Sequence, residues 1–172
     1  MANRTLWMMN LLRDEKSNFE FCKERGIVGF GWGLRENTTT DYEEFKNLTK
    51  LEGHYYKNGV FDSNLDNALK CFDKMTQGDL ILLRDDNMQF YVCVVLDDKK
   101  RINQGALYFE ANATCNRKVR FLPIVIDEKE FKDMGLENED YVLRGTIKKL
   151  SSSPAEEKIE EYIKEVCLPY LS

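Results

Sequence analysis

Apolar positions in this chain recur with a period of two in some stretches and three to four in others, and those switches predict its elements. Thr5 to Leu12 reads TLWMMNLL. As a strand it puts Trp7 and Met9 on one face and Leu6 and Met8 on the other, so both faces are apolar and the strand is expected at the centre of a sheet. Ser17 with Glu20 predicts a capping box for a helix running through Arg25, which Gly26 stops. Ile27 to Trp32 predicts a second strand. Asp41 with Glu44 predicts a second helix, whose Tyr42, Phe45 and Leu48 share a face. Ser63 with Asp66 opens a third, with Leu65, Leu69, Phe72 and Met75 as its buried stripe and Gly78 as its stop.

After Gly78 the pattern changes. Asp79 to Arg84 and Phe90 to Leu96 predict two strands of a hairpin around Asp85-Asp86-Asn87. Asp97 to Gln104 reads as a polar connection and Ala106 to Ala111 as a further strand. Arg117 to Ile126 is a strand in which Arg117 shares a side with Val119, and Lys118 shares the other with Arg120. Glu128 to Met134 predicts one or two helical turns, and Leu143 to Leu150 a final strand. Ser153, Pro154 and Glu156 stand at the N-cap, first and third positions of a last helix. Its face of Ile159, Tyr162, Ile163 and Val166 must dock on the body of the domain or on a second chain.

This order predicts an α+β fold: a small mixed β-barrel with helices packed at its ends and a C-terminal helix. A doubly wound α/β sheet fits less well, because no crossover helices separate the strands after Gly78. The expected organisation is one domain over residues 1–150, followed by the amphipathic helix in 151–172.

Composition narrows the function classes. The 172 residues carry a net charge of −5, so nucleic-acid binding would require one face cleared of carboxylates. The five cysteines include no C-x-x-C pair, which favours a reducing, cytoplasmic setting with thiols used as small hydrophobes. The apolar run near the N-terminus is too short for a signal peptide or a membrane span.

Catalytic signatures are sparse. His54 is the one histidine, no serine lies in G-x-S-x-G, and paired histidines for zinc are missing. Gly29, Gly31 and Gly33 lack the spacing of a dinucleotide fingerprint. Asp97, Asp98 and Lys100 resemble a metal-nuclease set only in composition, since neighbours at a strand end point apart. The expectation is a protein that is not an enzyme and uses no cofactor or metal.

What remains is Trp32 between Gly31 and Gly33. Glycine inside a strand marks a bulge or close approach by a backbone or ligand. Trp32 is then either a platform at the mouth of a cleft or a core residue whose flanking glycines turn the chain.

Two blocks carry a family likeness: K-E-R-G-I-V-G-F-G-W-G at Lys23 to Gly33, and F-D-K-M-T-Q-G-D-L-I-L-L-R at Phe72 to Arg84. With Tyr91, Val92 and Val94 and the later R-K-V-R-F, residues 5–150 resemble the PUA-like superfamily, in its EVE/YTH-like branch. Similar modules open some modification-dependent restriction enzymes. The resemblance implies a reader that holds a flipped, modified or unpaired base in an aromatic pocket. It implies DNA more than RNA as partner, with a separate nuclease or motor subunit in a restriction or defence system. The candidate pocket residues are Trp32, Trp7, Phe30, Tyr91 and Asn10, and the candidate phosphate contacts are Lys118, Arg120 and Arg144. Two other readings stand beside it: a protein-interaction or inhibitor protein that reuses the fold, and a small-nucleotide-binding module.

Overall fold

The computed structural model describes residues 4–13, 16–30, 39–48, 63–134, 147–151 and 153–171. In chain order the elements are β1 (Leu6–Met9), β2 (Leu12–Arg13), β3 (Lys16–Ser17), α1 (Phe19–Arg25) and β4 (Ile27–Phe30). There follow α2 (42–48), α3 (Ser63–Lys74), β5 (Leu80–Arg84), β6 (Phe90–Val95) and β7 (Arg101–Ile102). The remainder comprises α4 (Ala106–Glu110), β8 (Cys115–Ile126), α5 (Glu128–Asp133), β9 (Ile147–Lys149), α6 (Pro154–Cys167) and a 3-10 turn at Leu168–Tyr170.

Seven strands form one curled mixed sheet in the order β4-β8-β6-β5-β1-β9, with β7 also on β8. β1 runs parallel to β5, with Leu6 opposite Leu80 and Met9 opposite Leu83. Every other pairing in this sheet is antiparallel. The sheet begins at β4 and ends at β9, and the described strands pair these two with β8 and β1, not with each other. The fold is therefore α+β, and where a small mixed β-barrel was expected the described strands form a curled, half-barrel sheet.

β1 is buried along its whole length, as apolar residues on both sides require. Trp7 and Met9 join Ile81, Leu83, Cys93 and Val95 in one core beneath α1, α2 and α3. Leu6 and Met8 join Leu80, Leu82, Val92 and Val94 in a second core beneath α5 and α6. The helices thus cover the two faces of the sheet instead of plugging barrel ends. Each fully buried large apolar side chain contributes roughly 1.5–3 kcal/mol, so two cores sharing one sheet make the central strands the most stabilised part.

Local signals account for several boundaries. Asp41 Oδ1 accepts from the Glu44 amide at 2.8 Å, and Ser153 Oγ accepts from Glu156 at 3.3 Å with Pro154 at the first turn. In both cases the expected cap satisfies an amide that has no intrahelical partner. α5 begins with a full capping box of Asp127 and Glu130. The turn between β5 and β6 closes on Asp85, whose Oδ1 accepts from the Asn87 and Gln89 amides at 2.9 Å each.

Other expectations need correction. Residues 106–110 are helical, not a strand: Tyr108 and Phe109 amides return to the Gly105 carbonyl, and Leu107 and Phe109 are exposed with no alternating buried side. The first helix starts one residue later, with Asn18 at its N-cap and no side-chain cap bond; Asn18 Nδ2 donates to the Asn112 carbonyl. The first strand breaks after Met9, and residues 12–13 pair with 16–17 in a separate two-stranded ribbon.

Gly29 answers the question raised by glycine in a strand. A Cβ there would lie 2.6 Å from the Cys115 carbonyl oxygen and 2.8 Å from Asn116 Cβ. The close approach is by β8, whose register sets Gly29 opposite Asn116.

Candidate nucleic-acid interface

The expected pocket residues do not assemble as one open site. Trp32 and Arg144 lie outside the described residues. Trp7 is 4% exposed, and its indole N–H donates to Asp79 Oδ2 at 2.9 Å. The same carboxylate accepts from the Thr5 amide at 3.1 Å and the Thr76 amide at 3.0 Å. Asp79 thereby ties β1 to the turn after α3, and Trp7 is a core residue with its polar handle satisfied. Phe30 is equally buried, with its ring 4.8 Å from Phe72 and 6.2 Å from Phe45. Both are core residues and not open pocket walls, because strands buried on the sheet's first face have no solvent side there. Asn10 is half-buried just beyond β1.

Tyr91 sits at the rim of the first core. Its ring lies 4.6 Å from Phe19, with Lys23 Nζ 4.7 Å from its centroid. Its hydroxyl donates to Asp85 Oδ2 at 3.2 Å. Burial first, then the Asp85 carboxylate, raises the phenol above its ordinary pKa.

Lys118 and Arg120 are exposed and project from the same side of β8, as alternation required. That side is the second face. Arg120 donates there to the Tyr170 carbonyl at 3.1 Å. Tyr91 and Phe30 pack in the first core, so the sheet separates the expected phosphate pair from the expected aromatics.

The first face has cations of its own: Lys100 belongs to the basic run Lys99-Lys100-Arg101 that the sequence shows, but its partners there are not legible locally. Asp73, in the last turn of α3, holds three donors. Oδ1 accepts from Tyr42 Oη at 2.7 Å and lies 2.9 Å from Lys100 Nζ; Oδ2 accepts from Lys46 Nζ at 3.0 Å. Both ammonium groups lie over the Tyr42 ring, at 5.1 Å for Lys46 and 4.8 Å for Lys100. Burial alone would raise the Asp73 pKa, but hydrogen bonds from Lys100, Tyr42 and Lys46 outweigh it and hold the carboxyl below its ordinary range. Burial, then the bond to Asp73, pushes the Tyr42 phenol far up, so Tyr42 is a neutral donor.

Arg117 lies beneath this group and is 1% exposed. Its guanidinium carbon is 4.9 Å from the Phe72 centroid, and Nη2 donates to the Phe72 carbonyl at 2.8 Å. That carbonyl belongs to the last turn of α3, where backbone acceptors lack helical partners and a cation is favoured. Arg117 Nε is buried with no hydrogen-bond partner. The available sequence signal was the alternation that puts Arg117 beside Val119 on the buried side of β8.

The rings form a path across this face. Phe30 is the last described residue before Gly31-Trp32-Gly33; from it, Phe72 is 4.8 Å away and Tyr42 a further 6.4 Å from Phe72. α1 adds Lys23 over Tyr91 and Arg25 over Phe21 at 3.7 Å. Phe30 and Phe72 are buried, so the rings within a ligand's reach are the partly exposed Tyr42, with Lys46 and Lys100 over it, and Tyr91, with Lys23 over it.

Acid–base or metal chemistry has little to work with among the described residues. No group of three or more His, Cys, Asp or Glu is placed to hold a metal. Asp97 is tied to Arg101 Nη2 at 2.6 Å, and Asp98 accepts from the Gln77 amide at 2.6 Å, so the two do not converge with Lys100. All five cysteines are free thiols and four are buried. Burial pushes Cys22 up to about 12 and Cys93 and Cys115 well above the ordinary thiol value, which leaves them unreactive. No described helix is long and apolar enough to cross a membrane.

Comparison with known proteins places the chain but not its activity. No curated protein matches it. Among solved structures, the crystal structure of protein Atu2648 from Agrobacterium tumefaciens matches over 95% of this chain and 90% of its own, at 18% identity and a TM-score of 0.40. That likeness is too low to carry an argument. The sequence profile of a family described as a domain of unknown function, DUF8426, matches residues 7–150, and the chain therefore belongs to the DUF8426 family.

Proposed function

We propose that this domain is a nucleic-acid reader of PUA-like, EVE/YTH-like type that binds without catalysis and stacks an unpaired or modified base on Trp32. The observation that carries the reading is the half-buried Tyr42 ring with the ammonium groups of Lys46 and Lys100 over it, seated on a buried line of rings from Phe30 through Phe72. That line begins where β4 hands the chain to Gly31-Trp32-Gly33. On this reading Lys23, Lys46 and Lys100 take over the phosphate contacts expected of Lys118 and Arg120, which face away. A separate nuclease or motor subunit would act on what the reader holds.

Fluorescence anisotropy with single- and double-stranded DNA and RNA, plain and carrying methylated or hydroxymethylated bases, tests it at two salt concentrations. Binding is expected to favour one probe class and to weaken about tenfold in Trp32→Ala, in keeping with base stacking worth ~1–3 kcal/mol. Three phosphate contacts predict a log–log salt slope of about −2 on single strands. No binding to any probe at low salt sinks the reading.

A further inference from the structure

We propose that Tyr42, Lys46 and Lys100 form a cradle for a phosphate monoester, and that the Asp73 carboxylate occupies it in the absence of ligand. The inference rests on the nucleic-acid reading for its source of ligand, and it narrows that ligand to one bearing a terminal phosphate.

The geometry is that of a bound oxyanion. One carboxylate takes a hydroxyl at 2.7 Å and two ammonium groups at 2.9 and 3.0 Å. The donors come from α2 and from the connection between β6 and β7, so the cradle joins elements far apart in sequence. Charge is out of balance. Arg117 answers the carbonyl end of α3 through the Phe72 carbonyl. Two ammonium groups then face a single buried-side carboxylate. Glu43 touches Lys46 at 3.0 Å, but from a rim position where it is 71% exposed. When Asp73 turns out, two positive charges and a neutral hydroxyl remain. A phosphate monoester carries roughly −1.5 to −2 at neutral pH and three acceptor oxygens, which matches both the charge and the donor number. A backbone diester, with one charge, matches less well.

Access favours exchange. The Asp73 side chain is 32% exposed, against 17% for Lys46 and 22% for Lys100. The Asp73 side chain is thus more exposed than either lysine side chain, and it can turn outward from the cluster. Independently, Arg117 carries a buried Nε–H without a partner and interacts electrostatically with both Tyr42 and Asp73. The Arg117 charge adds to the positive field under the cradle, which a doubly charged anion answers better than a single carboxylate.

Titration calorimetry on the full chain separates the sources of phosphate. The probes are inorganic phosphate, a nucleoside 5′-monophosphate, and one single-stranded oligonucleotide in 5′-phosphorylated and 5′-hydroxyl forms. Wild type is expected to prefer the phosphorylated oligonucleotide at least tenfold over its hydroxyl twin. Asp73→Asn keeps a hydrogen-bond acceptor for Tyr42 and removes the competing charge, so it is expected to widen that preference and to bind inorganic phosphate measurably. Lys46→Gln with Lys100→Gln should abolish the preference: both oligonucleotides should then bind equally, and each more weakly than to wild type, since the two lysines also serve the backbone contacts of the reader. Equal binding of the two oligonucleotides by wild type and by Asp73→Asn overturns the cradle and leaves the reader standing. Binding of inorganic phosphate and the monophosphate, with no binding of either oligonucleotide, keeps the cradle and sinks the reader. The wild-type arm and the lysine variant carry the test alone if Asp73→Asn does not fold.

Discussion

The two faces of the sheet are built on different chemistry. The second face is filled by aliphatic side chains of β1, β5 and β6 against Ile159, Ile163 and Cys167 of α6, all buried. Its one deep charge, Glu156, is paired with Lys148 at 2.7 Å. The first face buries apolar rings too, but threads carboxylates and cations between them: Asp79 under Trp7, Asp73 under two lysines, Arg117 against Phe72. Apolar packing is non-directional and tolerant, whereas each buried polar group needs its partners in place. Ligand chemistry is therefore sought on the first face, and the second face reads as the support that holds it. α6 belongs to that support although it lies beyond residues 7–150 of the family match.

The sharpest way to break this contrast is Asp79→Ala. It strands the Thr5 and Thr76 amides and the Trp7 indole N–H, and unsatisfied buried donors cost ~1–3 kcal/mol each, so a loss of about 4 kcal/mol is expected. Urea denaturation measures it. A loss below ~1 kcal/mol would mean that water replaces the carboxylate and the first face is not polar-anchored. On the second face, Ile163→Ala should cost about 3 kcal/mol, the usual range for a fully buried aliphatic truncation. It should leave oligonucleotide binding by the folded protein unchanged; a parallel loss of binding would couple the two faces.

The smallest effect is a pH dependence confined to the first face. The Asp73 pKa is lowered in the folded state from the ordinary 3.8. Its contribution is complete above that value and fades as the pH falls through the lower folded value. Asp97, held low chiefly by Arg101, titrates in the same region. The informative quantity is thus the difference between wild type and Asp73→Asn: the variant should show a shallower loss of stability below about pH 4 in acid titrations followed by circular dichroism. Identical acid profiles would show that the lysines and Tyr42 contribute nothing through Asp73.

Local pattern revealed much of the second face and little of the first. The run LWMM, apolar on both sides, marked β1 as a strand buried on both faces, although it lies second from the end of the sheet, between β5 and β9, and Ser153-Pro154 placed the start of α6. Such signals work because capping and alternation act within a few residues. The segment ALYFE misled because Ala, Leu and aromatic residues suit either helix or strand when a run is short. The cradle could be read only in part. Tyr42 and Lys46 share a helix face at a spacing of four, but Asp73 and Lys100 come from separate stretches that no spacing links to them. Lys118 and Arg120 were correctly paired on one side of β8, yet which face that side meets depends on the strand's neighbours.

By itself the sequence determined most of the element types, the two-sided burial of β1 and the outward pairing of Lys118 with Arg120, because these follow from local sterics and period. Only the tertiary structure decided that β1 runs parallel to β5 across more than 70 residues, that β8 comes close enough to require glycine at position 29, and that Asp73 meets two lysines and a tyrosine. Those contacts depend on which distant segments bury each other, and that choice is made by the summed packing of the whole chain rather than by any stretch of it.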